Sequence, residues 1–338
     1  MMKTGVLLIN LGTPDSPEPA AVYTYLKQFL NDPRVIDLPA LARYLLVNAL
    51  IVPFRHKKSA HAYRQIWTKE GSPLLVNTEN LRQAVAEKLG DQFKVEIGMR
   101  YGNPSIASAV KNLNKCLEII AIPLFPQYAS ASNGSAVEEL LRVIGSQINI
   151  PQITVTRDFY NNNHFIESYA AIIKEHLANK NVDIVLFSYH GLPERHINKS
   201  KCIAQCSRTM PCPPMSADNS YCYRAQCYET SRLLAKKLGL NESQTLVTFQ
   251  SRLGRTPWIK PYTDIELPLL AKRGIKNIAI VCPSFVSDCL ETLEEINIRA
   301  REQWNELGGK EFTFIPCINS HAVWVEGIAE IVRKRRVD

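Results

Sequence analysis

Six short stretches that read as strands, most of them apolar, alternate with residues at helical spacing and constrain this chain more than any other feature. Gly5 to Asn10 leads through Gly12-Thr13-Pro14 into Ala20 to Leu30, Lys94 to Met99 leads into a helix from Ser105, and Leu117 to Pro123 leads to Ser135 to Ile144. The second half repeats the scheme with Ile184 to Phe187, Thr245 to Phe249 and Asn277 to Cys282, separated by helices near Ser231 to Leu238 and Ile265 to Arg273. Continuous apolar runs suit strands buried on both faces, and strands alternating with helices specify a parallel, doubly wound sheet. At 338 residues the chain exceeds one comfortable core, so two α/β domains are expected. The first spans 1–150 and the second 151–319, with a helix in 320–338 packing back on the first domain. Their join is placed at Asn149 to Asp158, where Pro151 and polar neighbours break the periodicity.

The composition is globular, 46% hydrophobic and 21% charged, and the formal charge of +8 favours an anionic partner. Nucleic acid is set aside: aromatic and basic residues are not interleaved, and the one dense basic run, Arg333 to Arg336, reads as a solvated helix end. Met1 to Leu11 lacks a signal-peptide cleavage site and reads as the first core strand. Leu38 to Phe54 is apolar but interrupted by Arg43 and Asn48, too short and too polar to span a bilayer. A soluble, cytoplasmic protein is the expectation, its nine cysteines serving as reduced thiols or metal ligands.

The strand ends carry the polar residues worth weighing. Ligands of open α/β sheets bind at the carboxyl ends of the strands, and Ser188-Tyr189-His190-Gly191 closes one of them with an imidazole able to accept a proton or hold a metal. Asn10 to Pro14 and Phe125 to Ser130 close two others. The first lacks the lysine and spacing of a phosphate-binding loop, so nucleotide binding is poorly supported. Phe249 to Thr263 sets Trp258 among three basic residues, a composition suited to a rigid wall against a flat aromatic ligand bearing carboxylates. In Cys282 to Glu295, Ser287 and Asp288 could cap a helix on which Asp288, Glu291 and Glu295 share one face. Such acids ordinarily complement a helix dipole at the surface, and spacing alone does not turn one inward.

Taken together, VLLINLGTP, FPQYAS, SYHGLPER, FQSRLGRTPW and CPSFVSDCLETLEE closely resemble the ferrochelatases of bacterial heme synthesis, in the same order from Val6 to Glu295. The resemblance implies the class II chelatase architecture, two flavodoxin-like (Rossmann-like) domains with a porphyrin cleft between them. It further implies insertion of ferrous iron, Fe2+, into protoporphyrin IX with release of two protons. By position His190 and Glu291 resemble the iron-site pair, Arg100 and Tyr101 the propionate side, with Arg55 a weaker candidate, and Leu11 a residue at the ring face. Imidazole with carboxylate can hold Fe2+ without thiolates and still release it. Leu38 to Phe54 is similar to the family's hydrophobic lip, which would touch the membrane, or it is an ordinary buried helix. An upstream heme-pathway enzyme is a candidate partner. Some relatives carry His where this chain has Cys289, which puts a proton relay through that position in doubt. A chelatase for coproporphyrin or cobalt, and a noncatalytic porphyrin or heme carrier, stay open as alternatives.

Five of the nine cysteines fall between Cys202 and Cys227, spaced C-x3-C-x5-C-x9-C-x4-C within an insertion at 198–228. That density signals a metal site, and four thiolates suit a 2Fe-2S cluster or a tetrahedral zinc. Since some ferrochelatases carry a 2Fe-2S cluster, the resemblance favours iron and sulfur, on Cys212, Cys222, Cys227 and either Cys206 or Cys202. Free thiols in a loop are the alternative.

Overall fold

The computed structural model describes residues 3–200, 211–254 and 256–335, so Cys202, Cys206 and Arg255 lie outside the described residues. Two compact units emerge. One comprises Met1–Phe125, Ala129–Asp158 and Val325–Asp338; the other comprises Pro126–Tyr128 and Phe159–Trp324. Each is built on a four-stranded, fully parallel sheet flanked by helices.

In the first unit β1 (Thr4–Thr13), β2 (Phe93–Gly102), β3 (Glu118–Pro123) and β4 (Gln152–Val155) lie in the order β2-β1-β3-β4. In the second, β5 (Ile184–His190), β6 (Thr245–Gln250), β7 (Asn277–Val281) and β8 (Glu311–Ile315) lie in the equivalent order β6-β5-β7-β8. This is the flavodoxin-like order, whose direction of travel reverses beside the first strand. The switch points are therefore β1/β3 and β5/β7.

The first strand of each sheet is central, covered on both faces and paired on both edges. Val6 to Ile9 and Ile184 to Phe187 are accordingly fully buried or nearly so, which is why they read as uninterrupted apolar runs. Leu7, Ile119 and Ala121 pack with Val110 and Leu140 in the first core; Leu186, Ile278 and Ile280 pack with Leu267 and Trp304 in the second. Each such Leu or Ile contributes roughly 2 kcal/mol of transfer free energy.

Two elements differ from the sequence expectation. Among the described residues the sheets have eight strands where six were legible, because β4 and β8 are short and place polar residues at alternate positions, Gln152 and Thr154 in one and Glu311 and Thr313 in the other. β4 occupies the stretch whose broken periodicity suggested a linker. The helix expected from Ser231 begins at Tyr223. Its first turns bury Arg224, Gln226 and Cys227, polar residues that conceal the apolar stripe on which the reading depended.

Candidate active site

At the β5/β7 switch point β5 ends on His190, and the chain turns at once. Gly191 is required there by close approach: a Cβ would lie 2.8 Å from the Gln250 carbonyl oxygen and 3.2 Å from the Trp258 ring. The His190 N–H donates to Ser284 Oγ at 2.8 Å, and the His190 carbonyl accepts from Tyr223 Oη at 2.8 Å. Nδ1 lies 2.6 Å from the Gly191 carbonyl oxygen. A carbonyl can only accept, so Nδ1 carries a proton and Nε2 is the ring nitrogen left to present a lone pair. Trp258 and Phe285 flank the imidazole, with ring centroids 6.5 and 6.3 Å from it, and the ring is only half-buried. A fixed tautomer, an available nitrogen and apolar walls suit a base or a metal ligand.

Glu291 opens a π-helical stretch, Glu291–Ala300, of the wide i→i+5 kind that recurs at functional sites. Gln250 stands opposite His190 in the β5–β6 ladder and ties Glu291 to the same edge. Its side-chain amide donates to the Glu291 carbonyl at 2.8 Å and accepts from Ser188 Oγ at 2.7 Å. One turn on, the Glu295 carboxylate accepts from the Ser251 amide at 2.8 Å and from Ser251 Oγ at 2.5 Å. Burial raises the Glu295 carboxyl above its ordinary range, while the Ser251 bonds and the charges of Arg299 and His190 oppose the rise. His190 and Glu295 thus share one electrostatic environment. Cys289 is buried; burial first, then the Glu291 carboxylate, pushes its thiol well up and keeps it protonated.

The acidic face expected from spacing is divided. Asp288 precedes the helix and turns the other way, accepting from Thr292 Oγ1 at 3.0 Å, the Cys317 amide at 3.1 Å and Asn319 Nδ2 at 2.9 Å. It fastens the segment after β8 and takes no share in the site. Gln250, Ser251, Ser284 and Tyr223 were not legible as site residues, since polar side chains in loops and helix starts carry no periodic signal. Glu295 did carry one, its spacing four residues after Glu291.

In the first unit the strand-end residues face one another. The Asp32 carboxylate accepts from Arg100 at 2.7 Å, Tyr101 Oη at 2.8 Å, Ser135 Oγ at 2.5 Å and the Arg34 amide at 2.7 Å. Arg100 keeps partial exposure and lies over the Tyr101 ring, 4.6 Å from its centroid; Tyr101 is buried, so it can influence a ligand only by supporting Arg100. Arg55 is exposed, and Leu11 is half-buried at the end of β1, its amide accepted by Asn10 Oδ1 at 2.9 Å. Leu38 to Phe54 is no buried helix. It runs as Ala40–Leu45, a π-helical Leu46–Ile51 and the start of Val52–Ile66, and it exposes Leu41, Tyr44, Leu45, Leu50 and Phe54. Among the described residues no helix is long and apolar enough to cross a membrane.

Cys212, Cys222 and Cys227 are buried, with Cys222 at the N-cap of the helix Tyr223–Leu238 and Arg224 donating to the Cys212 sulfur at 3.0 Å. Burial pushes the Cys227 thiol well up, and the nearby Cys222 and Cys212 add to the rise. Among the described residues no three His, Cys, Asp or Glu side chains are grouped so as to hold a metal ion.

Two doubly wound parallel sheets, one with an imidazole at its switch point, define an α/β protein of the kind that binds ligands at strand ends. Solved structures agree on the fold: SirB from Bacillus subtilis with Fe3+ superposes with a TM-score of 0.56 at 12% identity, covering 98% of this chain and 95% of that one. CbiX, the terminal enzyme of siroheme biosynthesis in denitrifying bacteria, gives 0.51 at 12% identity, covering 98% and 100%. A family model described as Ferrochelatase matches residues 3–336. A ferrochelatase of Legionella pneumophila (strain Lens) is 53% identical over 334 residues, 99% of this chain and 100% of the relative. One of Coxiella burnetii is 53% identical over 335 residues, 98% and 94%. The chain belongs to the ferrochelatase family.

Proposed function

We infer that this protein is a lyase of heme biosynthesis that inserts ferrous iron into protoporphyrin IX, releasing the two pyrrole protons, with His190 and Glu291 at the reacting centre. The observation carrying this reading is the locked imidazole: Nδ1 is bound to the Gly191 carbonyl, leaving Nε2 as the one ring nitrogen able to accept. Nε2 takes a pyrrole proton as the macrocycle closes on the metal, a transfer within reach of an imidazole near neutral pH. Glu291 meets the dication. The set holds no thiolate, which keeps Fe2+ weakly bound and transferable. Glu295, whose carboxyl burial raises, is suited to receive a proton from the site and pass it outward. Arg100, held in place by Asp32, supplies positive charge for propionates, and Leu11 an apolar contact for the ring. The apolar surface of Leu41, Leu45, Leu50 and Phe54 suits a peripheral contact with the cytoplasmic face of a membrane, where an apolar porphyrin would be received from the preceding enzyme.

Steady-state insertion of Fe2+, Co2+ and Zn2+ into protoporphyrin and coproporphyrin tests the substrate assignment. Preference for Fe2+ and protoporphyrin is expected; binding without insertion would leave a carrier.

The cysteine segment is read as holding a structural 2Fe-2S cluster, with zinc as the other occupant, on Cys212, Cys222, Cys227 and one of Cys202 or Cys206. Its support is three buried thiols within one another's influence and a guanidinium already directed at one sulfur. The cluster would stabilise the segment preceding the helix Tyr223–Leu238. Anaerobically purified protein should show visible absorption and labile sulfide, both lost in a Cys222→Ser, Cys227→Ser variant. Colourless protein containing none of iron, sulfide or zinc would mean free thiols.

A further inference from the structure

The peptide joining His190 to Gly191 is held at both ends by groups outside its own strand. Its N–H donates to the Gln250 carbonyl at 2.8 Å, and its C=O accepts from Tyr223 Oη at 2.8 Å. The next carbonyl, that of Gly191, anchors the imidazole at Nδ1. Gly191 is imposed by the proximity of Gln250 and Trp258, yet glycine is also the residue with the most backbone freedom. The position that fixes the tautomer is thus the one least able to fix itself. Tyr223 supplies a restraint from a separate element, the first residue of the helix Tyr223–Leu238, and its hydroxyl stands 3.5 Å from Ser284 Oγ, which receives the His190 N–H. Burial raises the phenol well above its ordinary range, so it stays a donor.

We propose that Tyr223 is a positioning residue of the iron-insertion site: its hydroxyl pins the His190 carbonyl and thereby orients the Gly191 carbonyl that keeps the proton on Nδ1 and the lone pair on Nε2. This rests on His190 being the reacting imidazole. Without the pin, the His190–Gly191 plane can rotate, the Nδ1 bond loosens and the ring samples the other tautomer, while the walls that contact porphyrin are unchanged.

The test is Tyr223→Phe in the full chain, which keeps the ring and removes only the donor. Turnover is expected to fall roughly tenfold to a hundredfold, in line with small misplacements of a catalytic group, with unchanged porphyrin affinity. Histidine nitrogen NMR should show His190 passing from one tautomer to a mixture. Tyr189→Phe is the control, since it removes an equally buried hydroxyl bonded to Ser231 at 2.8 Å and touching no atom of His190 in this way. It should cost stability alone. If Tyr223→Phe lowers thermal stability, the comparison is made on the His190→Ala background, where removing the hydroxyl should change the residual rate no further. Wild-type turnover with an unchanged tautomer in Tyr223→Phe would overturn the proposal, as would an equal loss in both backgrounds. Full turnover in His190→Ala alone would instead remove the reading of the site, whatever Tyr223 does.

Discussion

The two sheets share strand order and strand direction, yet their carboxyl-end residues are organised in opposite ways. In the first unit Asp32 gathers Arg100, Tyr101, Ser135 and the Arg34 amide into a closed set, in which hydrogen bonds and opposite charge overcome burial and hold the carboxyl below its usual range. In the second, neighbouring residues spend their bonds on the backbone of the two residues proposed to react. Gln250 holds the Glu291 carbonyl, while Ser284 and Tyr223 hold the His190 peptide groups, leaving the imidazole Nε2 unengaged. One edge satisfies its polar side chains internally. The other directs several of its hydrogen bonds to the main chain, which is what the proposed role of the His190 side chain requires. Topology supplies the edge, and the allocation of hydrogen bonds decides what that edge does.

The contrast breaks first at His190. His190→Ala should reduce iron insertion by about 10²-fold to 10⁴-fold, the usual cost of losing a general base. Porphyrin binding, measured by fluorescence quenching, should survive because the walls provide the contact area. Retention of near-normal turnover would mean that the second edge is no more reactive than the first. Next is Glu291→Gln, which preserves shape and removes charge; turnover should fall on the order of 10²-fold at an unchanged melting temperature. A lower melting temperature with an unaltered rate would place Glu291 among surface carboxylates that only complement a helix dipole, worth a few tenths of a kcal/mol.

Much of this was legible from residues alone because the central strands must be continuously apolar, and because His190 ends one of them before a glycine that packing requires. Glu291 is proposed by resemblance alone: an acid at a helix start looks the same in sequence whether it faces solvent or site. Asp32 could not be found at all. It follows the first helix as an ordinary polar residue, and its burial arises from Arg100, Tyr101 and Ser135, 68, 69 and 103 positions away in sequence. β4 and β8 escaped because each is short and alternates polar with apolar residues, Gln152 and Thr154 in one and Glu311 and Thr313 in the other, so neither shows an apolar run.

Asp32→Asn sharpens the comparison from the binding side. The amide cannot match the charge of Arg100, and donors at Tyr101 and Ser135 lose their best acceptor, so a loss of about 2 kcal/mol in stability is expected at neutral pH. The sign with pH follows from the lowered carboxyl: the wild-type advantage is present above the unfolded value, near pH 4, and is lost as pH falls through the folded one. Denaturant melts of both proteins from pH 7 to pH 3 should therefore converge in acid. Parallel curves would show that Asp32 acts by shape alone. If Arg100 meets the propionates, KM for porphyrin should also rise while kcat holds.

The smallest expected effect lies at Leu11, half-buried at the end of β1 and outside the Asp32 set. Truncation to alanine removes apolar surface without leaving a polar group unpaired, so roughly 1 kcal/mol of ring contact should go, a factor of about five in porphyrin KM. Binding lost equally in ground and transition states leaves kcat where it was. That split is what a purely binding edge predicts. A fall in kcat as large as the rise in KM would mean that Leu11 presses on the macrocycle during insertion, and the first edge would then take part in the chemistry assigned here to the second.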